Sequence, residues 1–137
     1  MNPATDQKIL GADYLFGGCV QYRPGESLPL RELHDYELVL IIDGNVSYGV
    51  NGEVFDLPPG GAILARPGFK EFYNWDPKKL TRHAYLHFQL SAIPDRWPDP
   101  EQWPIANAHP PAVFGSLFRH LLERVSSRPE WPASAPG

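Results

Sequence analysis

Between residues 81 and 90 the chain alternates strictly. His83, Tyr85, His87 and Gln89 fall at one parity; Ala84, Leu86, Phe88 and Leu90 fall at the other. An extended strand sends successive side chains to opposite faces, so two imidazoles and a phenol share a face. Residues 69–75 repeat the pattern with Glu71, Tyr73 and Trp75, and residues 36–42 set Glu37 in step with Val39 and Ile41. Such groups suit hydrogen bonding to a small polyhydroxylated molecule. Carboxylates and imidazoles exchange bonds with hydroxyls, a guanidinium such as that of Arg31 holds an anionic or ring oxygen, and a flat Trp or Tyr stacks on a sugar face. Plainer readings stand beside this one. Hydrophobicity alone would turn Ala84, Leu86, Phe88 and Leu90 inward and the histidines out. Glu37 can pair with Arg31 or Arg82, His87 can be a satisfied strand histidine, and Trp75 can plug the end of a barrel.

The chain is 137 residues long with a formal net charge of −4, enough for one domain. Residues 1–75 carry 5 Lys/Arg against 10 Asp/Glu, and residues 76–137 carry 7 against 6. Neither part offers the basic surface that neutralising phosphates requires, so this chain alone is not expected to grip nucleic acid. Cys19 is the single cysteine, which excludes an internal disulfide and a Cys-rich zinc site; its apolar neighbours read as a buried small hydrophobe. No nucleophile elbow, Gly-rich phosphate loop or zinc motif is present. The first residues lack the positive-then-apolar pattern of a signal peptide, and no apolar run reaches membrane-spanning length, so a cytoplasmic protein is expected.

The elements that must position these residues are short strands. Residues 14–22 read as a first strand, bent or bulged at Gly17-Gly18, and Pro24, Gly25 and Pro29 read as a loop. Residues 36–42, 45–50 and 53–57 follow, joined by Asp43-Gly44 and Asn51-Gly52, the dipeptides that favour two-residue hairpins; a three-strand meander is expected. Residues 62–65, 69–75 and 81–90 complete an antiparallel barrel or sandwich. Residues 94–111 hold six prolines and two tryptophans, Trp97 and Trp103, and are expected to wrap the barrel without regular structure. Pro110-Pro111 can open a helix. Val113, Phe114, Leu117, Phe118, Leu121, Leu122 and Val125 then follow helical spacing to about residue 128, and residues 129–137 read as a linker. That stripe is wide enough to cover the barrel and leave an edge for a partner. His120 lies off it, facing solvent or a dimer contact.

Residues 31–90 resemble the cupin sensor domain of AraC-type (arabinose-regulator-like) transcription factors. The resemblance is carried by His34-Asp35-Tyr36-Glu37, Asp43-Gly44, Val50-Asn51-Gly52, Leu57-Pro58-Pro59-Gly60-Gly61, Ala65-Arg66-Pro67-Gly68 and Leu86-His87-Phe88. It implies a mainly β fold, a cupin-like antiparallel β-barrel (double-stranded β-helix or jelly roll) with a C-terminal packing helix. It divides the chain into a barrel with an N-terminal arm (1–93), a Pro-rich connector (94–110), a helix (111–128) and the start of a linker (129–137). It also implies that positions matching Tyr73, His83 and Tyr85 line a sugar pocket. With the parity of the neighbouring strands, the candidate ligand-binding set becomes Arg31, Glu37, Glu71, Tyr73, Trp75, His83, Tyr85 and His87.

The general cupin pattern also offers a test for a metal. Glu37 and Gly44 fit its first motif and Gly61 and Pro67 its second. Glu32 and Leu33 stand where histidine ligands would be, His34 is out of step, and Glu71 takes the place of a later histidine. Borderline metals prefer imidazole, so no metal and no cofactor are expected; the alternative is that Glu37, Glu71 and a histidine of residues 81–90, such as His87, converge on one. The resulting expectation is a sensing and dimerising domain for a small polar ligand, a sugar above all. It pairs as a homodimer through the 111–128 helix and reaches DNA only through a domain missing from this chain. A stand-alone small cupin enzyme acting on a sugar or small acid, with Glu37 or His87 as acid or base, is the alternative.

Overall fold

The computed structural model describes residues 12–125. Of the expected arm, residues 1–12, all but Ala12 lie outside them, as do the last residues of the expected helix, 126–128, and the expected linker, 129–137. Nine strands and one helix follow in order: β1 (Ala12–Tyr22), β2 (Ser27–Glu32), β3 (Tyr36–Asp43), β4 (Val46–Val50), β5 (Glu53–Leu57), β6 (Ala62–Ala65), β7 (Lys70–Asn74), β8 (Thr81–Leu90), β9 (Ala106–Asn107) and α1 (Ala112–Val125). Every pairing is antiparallel. The strands form two sheets, ordered β1-β8-β3-β6-β9 and β2-β7-β4-β5. The expected barrel is therefore two facing sheets rather than one closed ring of hydrogen bonds.

Four expectations are corrected. Residues 36–57 are not a three-strand meander: β3 pairs with β6 and β8, whereas β4 pairs with β5 and β7. Asp43-Gly44 carries the chain from one sheet to the other. The reason is burial: β3 is apolar on both faces and needs neighbours on both edges and a layer on each side. Only β4 and β5 form a hairpin, closed by Asn51 (φ 49°) and Gly52 (φ 85°). Residues 27–32, expected in a loop because of Pro29, are an edge strand. An edge and a register shift, here between Leu28 and Arg31, are where a strand tolerates proline. Gly17 and Gly18 run in register against Leu86 and Tyr85; the shift falls between Ala12 and Leu15. Finally, the connector is not wholly irregular. It contains a 3-10 turn at Pro100–Gln102, and β9 extends the first sheet beside β6.

Alternation divides the interior into two clusters. Between the sheets lie Val39, Ile41, Val46, Tyr48, Val50, Ile63, Tyr73 and Trp75. On the back of the first sheet, Leu40, Ala84 and Leu86 meet Phe118 and Leu122 of α1, with Cys19 half-buried beside them. The Arg66 guanidinium fastens the connector by donating to the carbonyls of Pro100 and Trp103. Trp103 in turn donates its indole N–H to Pro98 O (2.9 Å), while Trp97 stays half-exposed. Among the described residues, no helix is long and apolar enough to cross a membrane.

Candidate ligand-binding site

Strand β8 turns His83, Tyr85 and His87 toward the space between the sheets and Ala84 and Leu86 toward α1. Hydrophobicity alone misplaces these faces because both are covered, one by the second sheet and one by the helix. The cavity so formed has a volume of about 280 Å³. Seven of the eight candidates line it: Arg31, Glu37, Tyr73, Trp75, His83, Tyr85 and His87. Glu71 does not; it is fully buried behind Arg31. Phe16, Val20, Tyr22 and Leu28 also line the cavity and escaped the sequence reading. The three from β1 share one parity, a signal obscured by the glycines between them. Leu28 lies on the strand that Pro29 disguised. A larger recess of about 560 Å³ is bordered by Asn45, Ser47, Asp56, Asn74 and Trp75, but no ion-paired network forms in it.

Strand register builds the polar wall from cross-strand pairs. Arg31 lies opposite Glu71, and Glu37 lies opposite His87. The extra residue in β2 matters here. Plain alternation from Leu28 would face Leu30 inward, yet Leu30 is 66% exposed and Arg31 turns in. Arg31 donates from Nε and Nη2 to Glu71 Oε2 (3.0 and 2.9 Å) and from Nη2 to Glu37 Oε1 (2.9 Å). Tyr48 donates its hydroxyl to Glu71 Oε1 (2.6 Å). A guanidinium thus bridges the two carboxylates that fall on the ligand positions of the metal-binding pattern. Among the described residues no group of three or more His, Cys, Asp or Glu side chains is placed to hold a metal ion. The donor set does not fit a metal centre. Glu37 pairs with Arg31 rather than Arg82, whose partner is Asp43.

The two histidines differ sharply. His87 lies between Glu37 Oε2 (3.2 Å from Nε2) and Asp35 Oδ1 (3.0 Å from Nδ1). Each ring nitrogen faces a carboxylate oxygen, an arrangement that favours the doubly protonated ring. The hydrogen bond to Glu37 leads the causes that raise its pKa. His83 is buried among rings, 5.1 Å from Trp75 and 5.7 Å from Tyr22. Desolvation lowers its pKa to about 4 and keeps it neutral. Burial also raises the Glu71 carboxyl against the pull of Tyr48 and Arg31. The Tyr73 hydroxyl, the Trp75 indole N–H and both His83 ring nitrogens are buried without a hydrogen-bond partner. Tyr22 stacks on Trp75 at 4.2 Å and Phe16 on His87 at 5.0 Å, so β1 lays a second aromatic layer over the wall.

Comparison with known proteins agrees with this architecture. The sequence model of one family, the AraC-like ligand binding domain, matches residues 20–135. No curated protein matches the chain. Among solved structures, the cupin domain of Schizosaccharomyces pombe Cnp3 is similar at TM-score 0.54 and 20% identity, over 56% of this chain and 54% of that one. An RmlC-like cupin from Shewanella frigidimarina is similar at TM-score 0.51 and 12% identity, over 56% and 68%. The S161A mutant of Bacillus subtilis oxalate decarboxylase OxdC is similar at TM-score 0.50 and 14% identity, over 58% and 22%. The chain therefore spans about half of the first of these and under a quarter of the last. These likenesses establish a cupin-like fold.

Proposed function

This chain belongs to the family of AraC-like ligand binding domains, and from that premise we propose that its cavity senses a small polar molecule, a carbohydrate or related metabolite. The observation that carries the reading is the unmet hydrogen bonding around the cavity. Buried polar groups are normally paired, and leaving one unpaired costs about 1–3 kcal/mol. Tyr73, Trp75 and His83 leave four such atoms together in one wall. A ligand carrying hydroxyls satisfies them once the stacked rings of this wall part to admit it. Arg31, Glu37, Tyr73, Trp75, His83, Tyr85 and His87 are the contact set, with Glu71 supporting Arg31 from behind.

In this reading residues 1–93 form the sensor with its arm, 94–110 connect, and the 111–128 helix pairs two copies. Residues 129–137 lead toward a DNA-binding domain outside this sequence, and occupancy shifts a two-state arrangement that the domain reads. A thermal-shift screen of sugars and polyols tests it. A stabilising ligand is expected, and His83→Ala and Tyr85→Ala are expected to abolish its shift; an unchanged shift removes this pocket. The reading frame of the native gene tests the regulator: two helix-turn-helix units are expected downstream. One observation favours an enzyme instead, the His87 imidazole held between two carboxylates as an acid or base. Turnover of a bound sugar or acid that His87→Gln abolishes would replace the sensor reading.

A further inference from the structure

We propose that the molecule received by this cavity is a sugar joined to a flat aromatic ring, one that carries hydrogen-bonding atoms on its edge as in a nucleoside or a phenolic glycoside. The proposal rests on the ligand-sensing reading and narrows it. His83 and His87 stand four residues apart on β8, roughly 13 Å at about 3.3 Å per residue, and the cavity changes character between them. At the His87 end the lining is ionic. Arg31 lies 2.9 Å from Glu37 Oε1, and His87 Nε2 lies 3.2 Å from Glu37 Oε2. Carboxylate and guanidinium groups exchange hydrogen bonds with the hydroxyls of a sugar. At the His83 end the lining is aromatic. Tyr22 stacks on Trp75 (4.2 Å, 13° between planes), Tyr73 on Trp75 (4.7 Å, 18°) and Trp75 on His83 (5.1 Å, 17°). One cavity thus joins a polar end to a set of near-parallel ring faces.

These rings touch one another, so a guest enters by parting them. Tyr22, half-buried on the edge strand β1, is the member with room to move. A flat ring slipped beside Trp75 presents a face to each neighbour and restores the stacking that its entry removes. A puckered sugar ring restores less, because its hydroxyls turned toward ring faces go unpaired. The unmet polar atoms agree. The Tyr73 hydroxyl, the Trp75 indole N–H and both His83 nitrogens are buried at the rims of these rings without a hydrogen-bond partner. The in-plane nitrogens, oxygens or hydroxyls of a stacked flat ring come to lie at those rims. A volume of about 280 Å³ leaves room for a sugar and one such ring and little more.

The test is isothermal titration of the 137-residue chain with two matched series. One is uridine, dihydrouridine and methyl β-riboside; the other is the 4-hydroxyphenyl, 4-hydroxycyclohexyl and methyl β-glucosides. In each, the first member has the flat ring, the second has it saturated and the third lacks it. In at least one series the flat member is expected to bind about tenfold or more tightly than the other two, which is what face-to-face stacking adds beyond buried area. The series that responds tells a nucleoside from a phenolic glycoside. A smaller advantage in both series, or silence from both, overturns the proposal. A methyl glycoside that binds as tightly as the rest would still leave the cavity a sugar sensor, so the two readings fail separately. In Tyr22→Leu the flat member's advantage over the saturated one is expected to fall below about threefold, and a retained advantage overturns the proposal. If that variant does not fold, the titration of the unaltered chain decides alone.

Discussion

His83 and His87 sit two positions apart on one strand face and respond to acid in opposite senses. The folded state resists protonating His83 until about pH 4, whereas the unfolded chain takes up that proton near its ordinary 6.5. The stability His83 contributes is therefore complete above 6.5 and drains away as pH falls toward 4. His87 binds its proton more tightly when folded. Its contribution is complete below 6.5 and is lost as pH rises through its folded value. Urea unfolding across pH 4–9 is expected to show His83→Phe flattening the acid limb and His87→Gln flattening the limb above 6.5. Arg31 offers a second test at this scale. Replacing it by Met leaves Glu37 and Glu71 facing each other without their bridge. Breaking a buried pair costs about 3–5 kcal/mol, and partial exposure of Arg31 brings the expected loss to about 2–3 kcal/mol. Tyr48→Phe, which removes one neutral donor to a buried carboxylate, is expected to cost about 1–3 kcal/mol in the same measurement.

Among the elements, two glycines with similar sequence surroundings carry different constraints. A Cβ on Gly17 would collide with the carbonyl oxygen of Tyr85, which is backbone of the paired strand and cannot yield. A Cβ on Gly49 would collide with the outer end of the Phe72 ring, a side chain on the sheet's outer face that can swing aside. Gly17→Ala is expected to cost about 1–3 kcal/mol and Gly49→Ala well under that, read from chemical unfolding. Nothing in the sequence separates these two, because the difference lies in what the partner strand presents. Most strands were legible, because turn dipeptides bound them and alternation marks their faces. The placement of β3 and β4 in different sheets was not, since Asp43-Gly44 signals a turn without naming the sheet that follows. Arg31 was legible as a candidate by its type, but its inward orientation depends on one extra residue in β2. Glu71 was legible by parity, which gives a face and not a depth, and so placed on the cavity wall a carboxylate that lies behind it.

At the scale of the whole molecule, α1 divides its own apolar stripe. Phe118 and Leu122 are buried on the first sheet, while Val113, Leu117 and Leu121 stand 60%, 57% and 42% exposed on the adjoining side. Phe118→Ala is expected to cost about 3–5 kcal/mol and Leu122→Ala about 2–5 kcal/mol. Leu117→Lys is expected to leave the monomer's stability within about 0.5 kcal/mol. If the helix pairs two copies, Leu117→Lys is also expected to shift sedimentation from dimer toward monomer. The pairing of β1 with β8 sets a further condition, one of order in time. Tyr22 meets Thr81 and Phe16 meets His87, so the first strand's hydrogen-bonding partner lies some sixty to seventy residues downstream. A chain growing from the ribosome exposes β1, with Leu15 and Phe16, long before β8 exists to receive it. The ligand cavity, walled by both strands, comes into being only at that last closure, so a nascent chain arrested before residue 81 has no receptor to offer and an open strand edge to protect.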